Sequence, residues 1–256
     1  MKPASKPLAG KRIFVTRPKG QAEGLAALIR EAGGEPLLFP AIEIQPLAHP
    51  AAFHAFARRL PSFDLAIFVS GNAVRSALAL LPGGQWPAHL KVATVGRGSR
   101  RALEENGFSD VIAPPAQSDS EGLLAMPELA DVRGRKIVIF RGDAGRELLG
   151  EELGKRGAFI EHVACYRRVR PQPGGLPQAW EQGADALTVS STEGLANFLD
   201  MLGGEAVAKL AGVALFVPHP RVAENAARRG LGGAIVAGSG NAEMAAALVA
   251  YFGDAR

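Results

Sequence analysis

The chain has 256 residues, of which 47% are hydrophobic and 21% charged, with a net charge of +4 and a pI near 9.5. That balance excludes a disordered chain and suits one large or two small globular domains. No apolar run approaches the ~18–20 residues that a membrane helix needs, and the basic residues form no block interleaved with aromatics of the kind a nucleic-acid groove uses. No signal peptide is expected at the start, which lacks an apolar core. The single cysteine, Cys165, leaves no internal disulfide and fits a reducing cytoplasm.

Residues 1–9 read as a loose tail. The stretch 11–18 (KRIFVTRP) is then an apolar run, Ile13 to Val15, ending in a cationic turn. Leu25, Leu28, Ile29 and Ala32 follow at the spacing of one helical face, and Gly33 stops the helix. A second apolar run closes a strand–helix–strand unit of the parallel kind. The unit recurs at an offset of 124. Gly10, Ile13, Arg17, Glu23, Leu25 and Gly33 match Gly134, Ile137, Arg141, Glu147, Leu149 and Gly157. The identities fall on the strand, the turn arginine, the helix face and the helix-ending glycine, so the repeat is taken as real.

Between the copies, residues 40–46 form a proline-bracketed extended connector. A helix carrying Phe53 and Phe56 comes next. Strands are expected at 64–69, 91–95 and 110–113, the first two ending in Ser70-Gly71-Asn72 and Gly96 to Ser99. Ser118 and Glu121 have capping-box spacing before the next helix. After the second copy, strands at 186–189, 213–217 and 234–237 end in Ser190-Ser191-Thr192, His219 to Arg221 and Ser239 to Asn241. Ser190 and Glu193 again have capping-box spacing, and Asp64 and Ser70 find echoes in Asp185 and Ser191. The ten core strands group as 2, 3, 2, 3, which predicts two five-stranded parallel sheets. A tandem and an interleaved arrangement both fit. The proline-rich crossings at 40–46 and 165–173 favour the interleaved one. Its domains would be 1–41 with 170–256, and 47–165, with 42–46 and 166–169 as linker strands.

Ligands of open α/β sheets bind beyond the carboxyl ends of the strands. The candidate binding residues are therefore Thr16, Arg17, Ser70, Asn72, Gly96, Ser99, Arg141, Ser190, Ser191, Thr192 and Arg221. Singly, most read as helix caps. As a set of hydroxyls, amides and glycines opening helices, with arginines on the same rims, they suit a polyanion. Other signals fail. The segment from Gly96 starts like GxGxxG but has Arg101 at its third glycine, with no acidic residue after the next strand, so no dinucleotide is expected. The five histidines lack metal-ligand spacing, so no metal is expected. Cys165 reads as a core residue. Asp64 and Asp185 lie at the strand ends away from the cleft and do not read as an acid–base pair.

Taken together, the chain resembles the uroporphyrinogen-III synthase family. The resemblance rests on residues 15–18 (VTRP) and 68–74 (FVSGNAV), on Val95-Gly96 with Ser99, and on residues 120–123 (SEGL) and 145–148 (GREL). Tyr166-Arg167-Arg168, Ser190-Ser191 and the turn at 217–223 complete it. It implies two doubly wound, parallel-sheet, flavodoxin-like α/β domains on a two-stranded linker, the first built from both chain ends. It also implies hydroxymethylbilane, a linear tetrapyrrole with eight carboxylates, as substrate. Water is removed, ring D is inverted through a spiro intermediate and the macrocycle closes, with no cofactor or metal. The family's tyrosine maps onto Tyr166, expected to project near the mouth between domains as the catalytic residue. A family threonine falls on Ser99, which keeps the hydroxyl and loses a methyl. A cytoplasmic monomer with no nucleic-acid or membrane partner is expected. Two rivals remain: a non-catalytic hinge protein for a polyanionic metabolite, and a synthase-like sensor domain.

Overall fold

A computed structural model describes residues 6–84, 86–115, 119–143 and 147–253. In chain order the elements are β1 (Arg12–Val15), α1 (Glu23–Glu31), β2 (Glu35–Leu38), β3 (Glu43–Gln45), α2 (Ala51–Ala57), β4 (Leu65–Phe68), α3 (Gly71–Leu80), β5 (Lys91–Thr94), α4 (Arg97–Glu104), β6 (Val111–Ile112) and α5 (Ser120–Leu124). There follow β7 (Lys136–Gly142), α6 (Leu148–Lys155), β8 (Phe159–Val169), α7 (Leu176–Glu181), β9 (Ala186–Thr188), α8 (Thr192–Leu202), α9 (Ala206–Lys209), β10 (Ala214–Val217), α10 (Pro220–Arg228), β11 (Ile235–Val236) and α11 (Asn241–Gly253). The fold is α/β with parallel sheets. Residues up to Glu43, with those from Val169 onward, form one compact unit, and Ile44–Arg168 form another.

The first unit holds a five-stranded sheet in the order β2-β1-β9-β10-β11. Neighbouring strands pair in parallel. Side chains alternate between the two faces of a strand, and both faces of β1 are apolar. Ile13 and Val15 pack with Leu25 and Ile29 of α1 and with Met244 and Leu248 of α11. Phe14 packs on the other face with Trp180 of α7, Phe198 of α8 and Val222 of α10. Helices thus cover both faces, as buried parallel strands require. Leu8 is fully buried in this core, and its N–H donates to the Ala32 carbonyl at 3.0 Å. The expected loose tail is therefore tied down at that point, because an apolar side chain there completes the α1 side of the core.

The second unit holds a six-stranded sheet, β3-β8-β7-β4-β5-β6, where five strands were expected. The extra strand is β3, from the proline-bracketed connector. The pairings of β4 with β5 and β7, of β5 with β6 and of β7 with β8 are parallel. Phe68, Phe140, Val74 and Phe53 fill one face, and Ile67, Ile139, Leu123 and Leu149 the other. Strand β8 continues through Tyr166 to Val169, eleven residues in all.

The repeat is visible in the geometry. Gly33 and Gly157, which end α1 and α6, have φ of 91° and 88°, a left-handed conformation that glycine adopts without cost. Ser70 and Ser191 cap α3 and α8 with φ of −166° in each, and their Oγ atoms accept from the Ala73 and Gly194 N–H groups at 3.1 and 3.0 Å. Asp64 and Asp185 clamp the starts of the central strands. The Lys136 N–H donates to the Asp64 carboxylate at 2.7 Å, and the Arg12 N–H to that of Asp185 at 2.9 Å. Two predicted caps shift by one residue. Ser118 lies outside the described residues, and α5 is capped by Asp119, which accepts from the Gly122 N–H at 2.8 Å. The cap of α8 is Ser191, not Ser190: its backbone is extended and its Oγ accepts from the Gly194 N–H.

Candidate active site

Each sheet has one point where successive connections leave to opposite faces. In the first unit it lies between β1, whose helix α1 packs on one face, and β9, whose helix α8 packs on the other. In the second it lies between β4, followed by α3, and β7, followed by α6. Such switch points leave a crevice beyond the strand carboxyl ends.

At the first crevice the β1 and β9 ends are laced together by buried hydroxyls. Thr16 Oγ1 donates to the Thr188 carbonyl at 2.9 Å, and Thr188 Oγ1 to that of Phe14 at 3.1 Å. Thr16 is thus buried and committed to the strand end. Arg17 follows it, half-buried, and its Nη2 donates to the Ser239 carbonyl at 2.8 Å. Among the described residues no carboxylate pairs with Arg17, and burial lowers its pKa. Ser190, Ser191 and Thr192 open α8, half-buried. Arg221 is exposed, its N–H donating to Nδ1 of His219, which caps α10. At the start of α11, Asn241 packs directly on Gly24, and its Oδ1 is buried without a partner.

At the second crevice, Phe68 and Phe140 stack at 4.9 Å just below the rim. Ser70 begins α3, and Ser99 is buried in the first turn of α4 after Gly96. Asn72 accepts from Arg75 Nη2 at 2.9 Å. Tyr166 packs in the core of the second unit. It is 1% exposed. Its ring lies across Gly142, to which it is opposed at a register shift in the β7–β8 pairing. A Cβ on Gly142 would stand 3.0 Å from the ring, so glycine is needed there for space. The ring thereby spans β7, and its hydroxyl lies 3.3 Å from Ser70 Oγ. Arg168, two residues on and on the same strand face, donates from Nη2 to the Tyr166 hydroxyl at 3.2 Å.

Arg141 does not join this group. It is 9% exposed, and its Nη1 donates to Glu147 Oε1 at 2.7 Å. The hydrogen bond from Arg141 holds the Glu147 carboxyl below its ordinary pKa. Cys165 is buried beneath, its thiol donating to the Arg141 carbonyl at 3.2 Å, and burial pushes its pKa up to about 12. It is thus a core thiol rather than a nucleophile. Among the described residues no group of three or more His, Cys, Asp or Glu side chains could hold a metal ion, and no helix is long and apolar enough to cross a membrane. Sequence reasoning did not single out the contacts that Arg168 and Gly142 make with Tyr166. The i, i+2 spacing of Tyr166 and Arg168 was the available signal for the former.

These features define the class: a parallel-sheet α/β protein with helix N-termini, hydroxyls and arginines gathered at the carboxyl ends of its strands. The family model described as uroporphyrinogen-III synthase HemD matches residues 23–246. The uroporphyrinogen-III synthase of Salmonella typhimurium LT2 is 34% identical over 186 residues, 71% of this chain and 76% of that protein. The Escherichia coli K12 enzyme is 31% identical over 179 residues, 69% and 73% of the two. A mutant uroporphyrinogen III synthase from Thermus thermophilus shares the fold, with a TM-score of 0.65 at 21% identity, covering 94% of this chain and 97% of that one. This chain belongs to the uroporphyrinogen-III synthase HemD family.

Proposed function

We propose that this chain is a cyclising hydro-lyase of tetrapyrrole biosynthesis, converting hydroxymethylbilane to uroporphyrinogen III with loss of water and inversion of ring D. Family membership supports the reaction. The observation that carries the site is Arg17, a half-buried guanidinium with no carboxylate partner among the described residues. Burying an unpaired cation is costly, and a substrate carboxylate would offset that cost with charge-assisted hydrogen bonds. Ser190, Ser191, Thr192 and Arg221 extend the same anion-binding rim. Ser70, Asn72, Gly96 and Ser99 form the rim of the second unit. Thr16 and Arg141 contribute by holding their strand ends in place.

The chemistry asks little of the protein in acid–base terms. The lone pair of the bilane's own pyrrole nitrogen expels the hydroxyl as the C–O bond breaks. Ser70, backed by Tyr166, supplies hydrogen bonding to that departing oxygen, whose charge grows in the transition state. Holding the last ring against the first converts ring closure into an intramolecular event, worth several kcal/mol on the order of measured effective molarities.

The two units are read as flavodoxin-like domains, 1–41 with 170–256 and 47–165, joined by 42–46 and 166–169. Support comes from the strand order of the first sheet, from helices on both faces, and from the division at Glu43 and Arg168. The protein is read as a cytoplasmic monomer, which light scattering on the purified chain tests. Incubation with enzymatically generated hydroxymethylbilane, followed by separation of the uroporphyrin isomers, tests the activity. Type III product is expected. Spontaneous type I product alone, from folded protein, would favour the non-catalytic hinge protein.

A further inference from the structure

Tyr166 is buried and Ser70 is not, yet the two hydroxyls are in contact. Counting donors and acceptors fixes the direction of that contact. A guanidinium only donates, so Arg168 Nη2 must give its hydrogen to the Tyr166 oxygen. The phenol proton then needs an acceptor. Among the described residues Ser70 Oγ is the one within reach. Were Ser70 to donate instead, a buried hydroxyl hydrogen would be left unmade, which is expensive. Ser70 Oγ also accepts from the Ala73 N–H at 3.1 Å. Both of its lone pairs are thereby used, and its own O–H is left pointing away from the protein bonds it accepts.

From this polarity we infer that Arg168 is a positioning residue. It orients a hydrogen-bond chain, Arg168 to Tyr166 to Ser70, so that the Ser70 hydroxyl is the donor presented to substrate at the second crevice. Tyr166 acts through Ser70 and does not touch the substrate. The position of Ser70, at the switch point between β4 and β7 where the carboxyl ends part, puts that donor where a ligand of this fold sits. The guanidinium also stands 5.8 Å from the Tyr166 ring centroid, so the same cation fixes the ring as well as the hydroxyl. Only the identity of the acceptor, the departing hydroxyl of the bilane, rests on the synthase reading. The direction of the chain does not.

Three replacements of Arg168 test the chain, each measured as kcat, KM and melting temperature. Arg168→Lys keeps a donor-only cation and is expected to hold kcat within about threefold. Arg168→Gln offers an amide oxygen that can take the phenol proton and reverse the chain. Arg168→Met removes the donor. Both are expected to lower kcat about tenfold with KM within about twofold, the size of one lost charge-assisted hydrogen bond. In a Tyr166→Phe background, where the chain is already cut, Arg168→Gln should cost nothing further. Equal kcat for the Lys and Gln variants would overturn the proposal, as would a full additional loss in the Tyr166→Phe background. If Arg168→Met does not fold, the Lys and Gln pair still decides the matter. Failure of the synthase reading is separate: it shows as absence of type III product from the wild-type protein.

Discussion

Arg141 and Glu147 are joined at 2.7 Å, and their counterparts in the first repeat, Arg17 and Glu23, are not. Glu23 lies 3.4 Å from Arg30 instead, and Arg17 reaches the Ser239 carbonyl. Two arginines on equivalent turns have therefore taken different work. One is neutralised inside its own turn, and the other keeps its charge for something else.

The kinetic consequences should differ accordingly. Arg17→Ala is expected to raise the KM for hydroxymethylbilane by about tenfold, as loss of one charge-assisted bond does, with the melting temperature nearly unchanged. Arg141→Ala is expected to lower the melting temperature by a few degrees, chiefly through lost packing of its buried stem because the exposed Glu147 carboxylate is screened by water, with a smaller change in KM. Steady-state kinetics and calorimetry on both variants check this. The reverse assignment would show that the Arg141–Glu147 pair opens to substrate.

Gly142 is expected to tolerate no side chain. In Gly142→Ala the new methyl would sit 3.0–3.4 Å from the Tyr166 ring and hydroxyl. The ring must shift by a few tenths of an ångström, and its contact with Ser70 lengthens. The expected result is a several-fold lower kcat with KM little changed. Wild-type kcat in this variant would mean that the Tyr166–Ser70 distance does not matter.

Asp185 gives a pH test of the strand-start clamp. Burial alone would raise its pKa. The Arg12 N–H and Lys11 ammonium outweigh that and hold the carboxyl below its ordinary value. A carboxyl with a depressed folded pKa stabilises the fold at neutral pH. That contribution is lost as pH falls below about 4 and through the folded pKa. Asp185→Asn should therefore be less stable than wild type at pH 7, and the gap should close towards pH 3. Thermal melts across that range measure it. A gap independent of pH would show that the side chain acts by shape and not by charge.

Much of this was legible in the sequence, for physical reasons. Buried parallel strands must be apolar on both faces, so runs such as Leu65 to Phe68 announce themselves. Gly33 and Gly157 mark helix ends because their backbone conformation is left-handed. The anion-suited rims could be gathered because strand carboxyl ends share one edge. What escaped depended on contacts that spacing does not encode. The bracketing prolines kept β3 out of the count of core sheet strands, although the segment was expected as a linker strand and lies at the sheet edge beside β8. Ser190 and Ser191 are chemically alike, and only backbone geometry decides which caps α8. The burial of Tyr166 depends on Gly142 lying beneath its ring, a pairing between residues on different strands.

The most direct test of the account is the kcat of Tyr166→Phe, measured with its melting temperature and the isomer of its product. The ring stays, so its packing across Gly142 stays. Only the hydroxyl that links Arg168 to Ser70 is lost. The account predicts a kcat lower by roughly tenfold or more, the size of one lost hydrogen bond in the chain that presents Ser70, a melting temperature within a few degrees of wild type, and residual type III product. A Phe variant with wild-type kcat would contradict it and leave substrate positioning as the whole of catalysis.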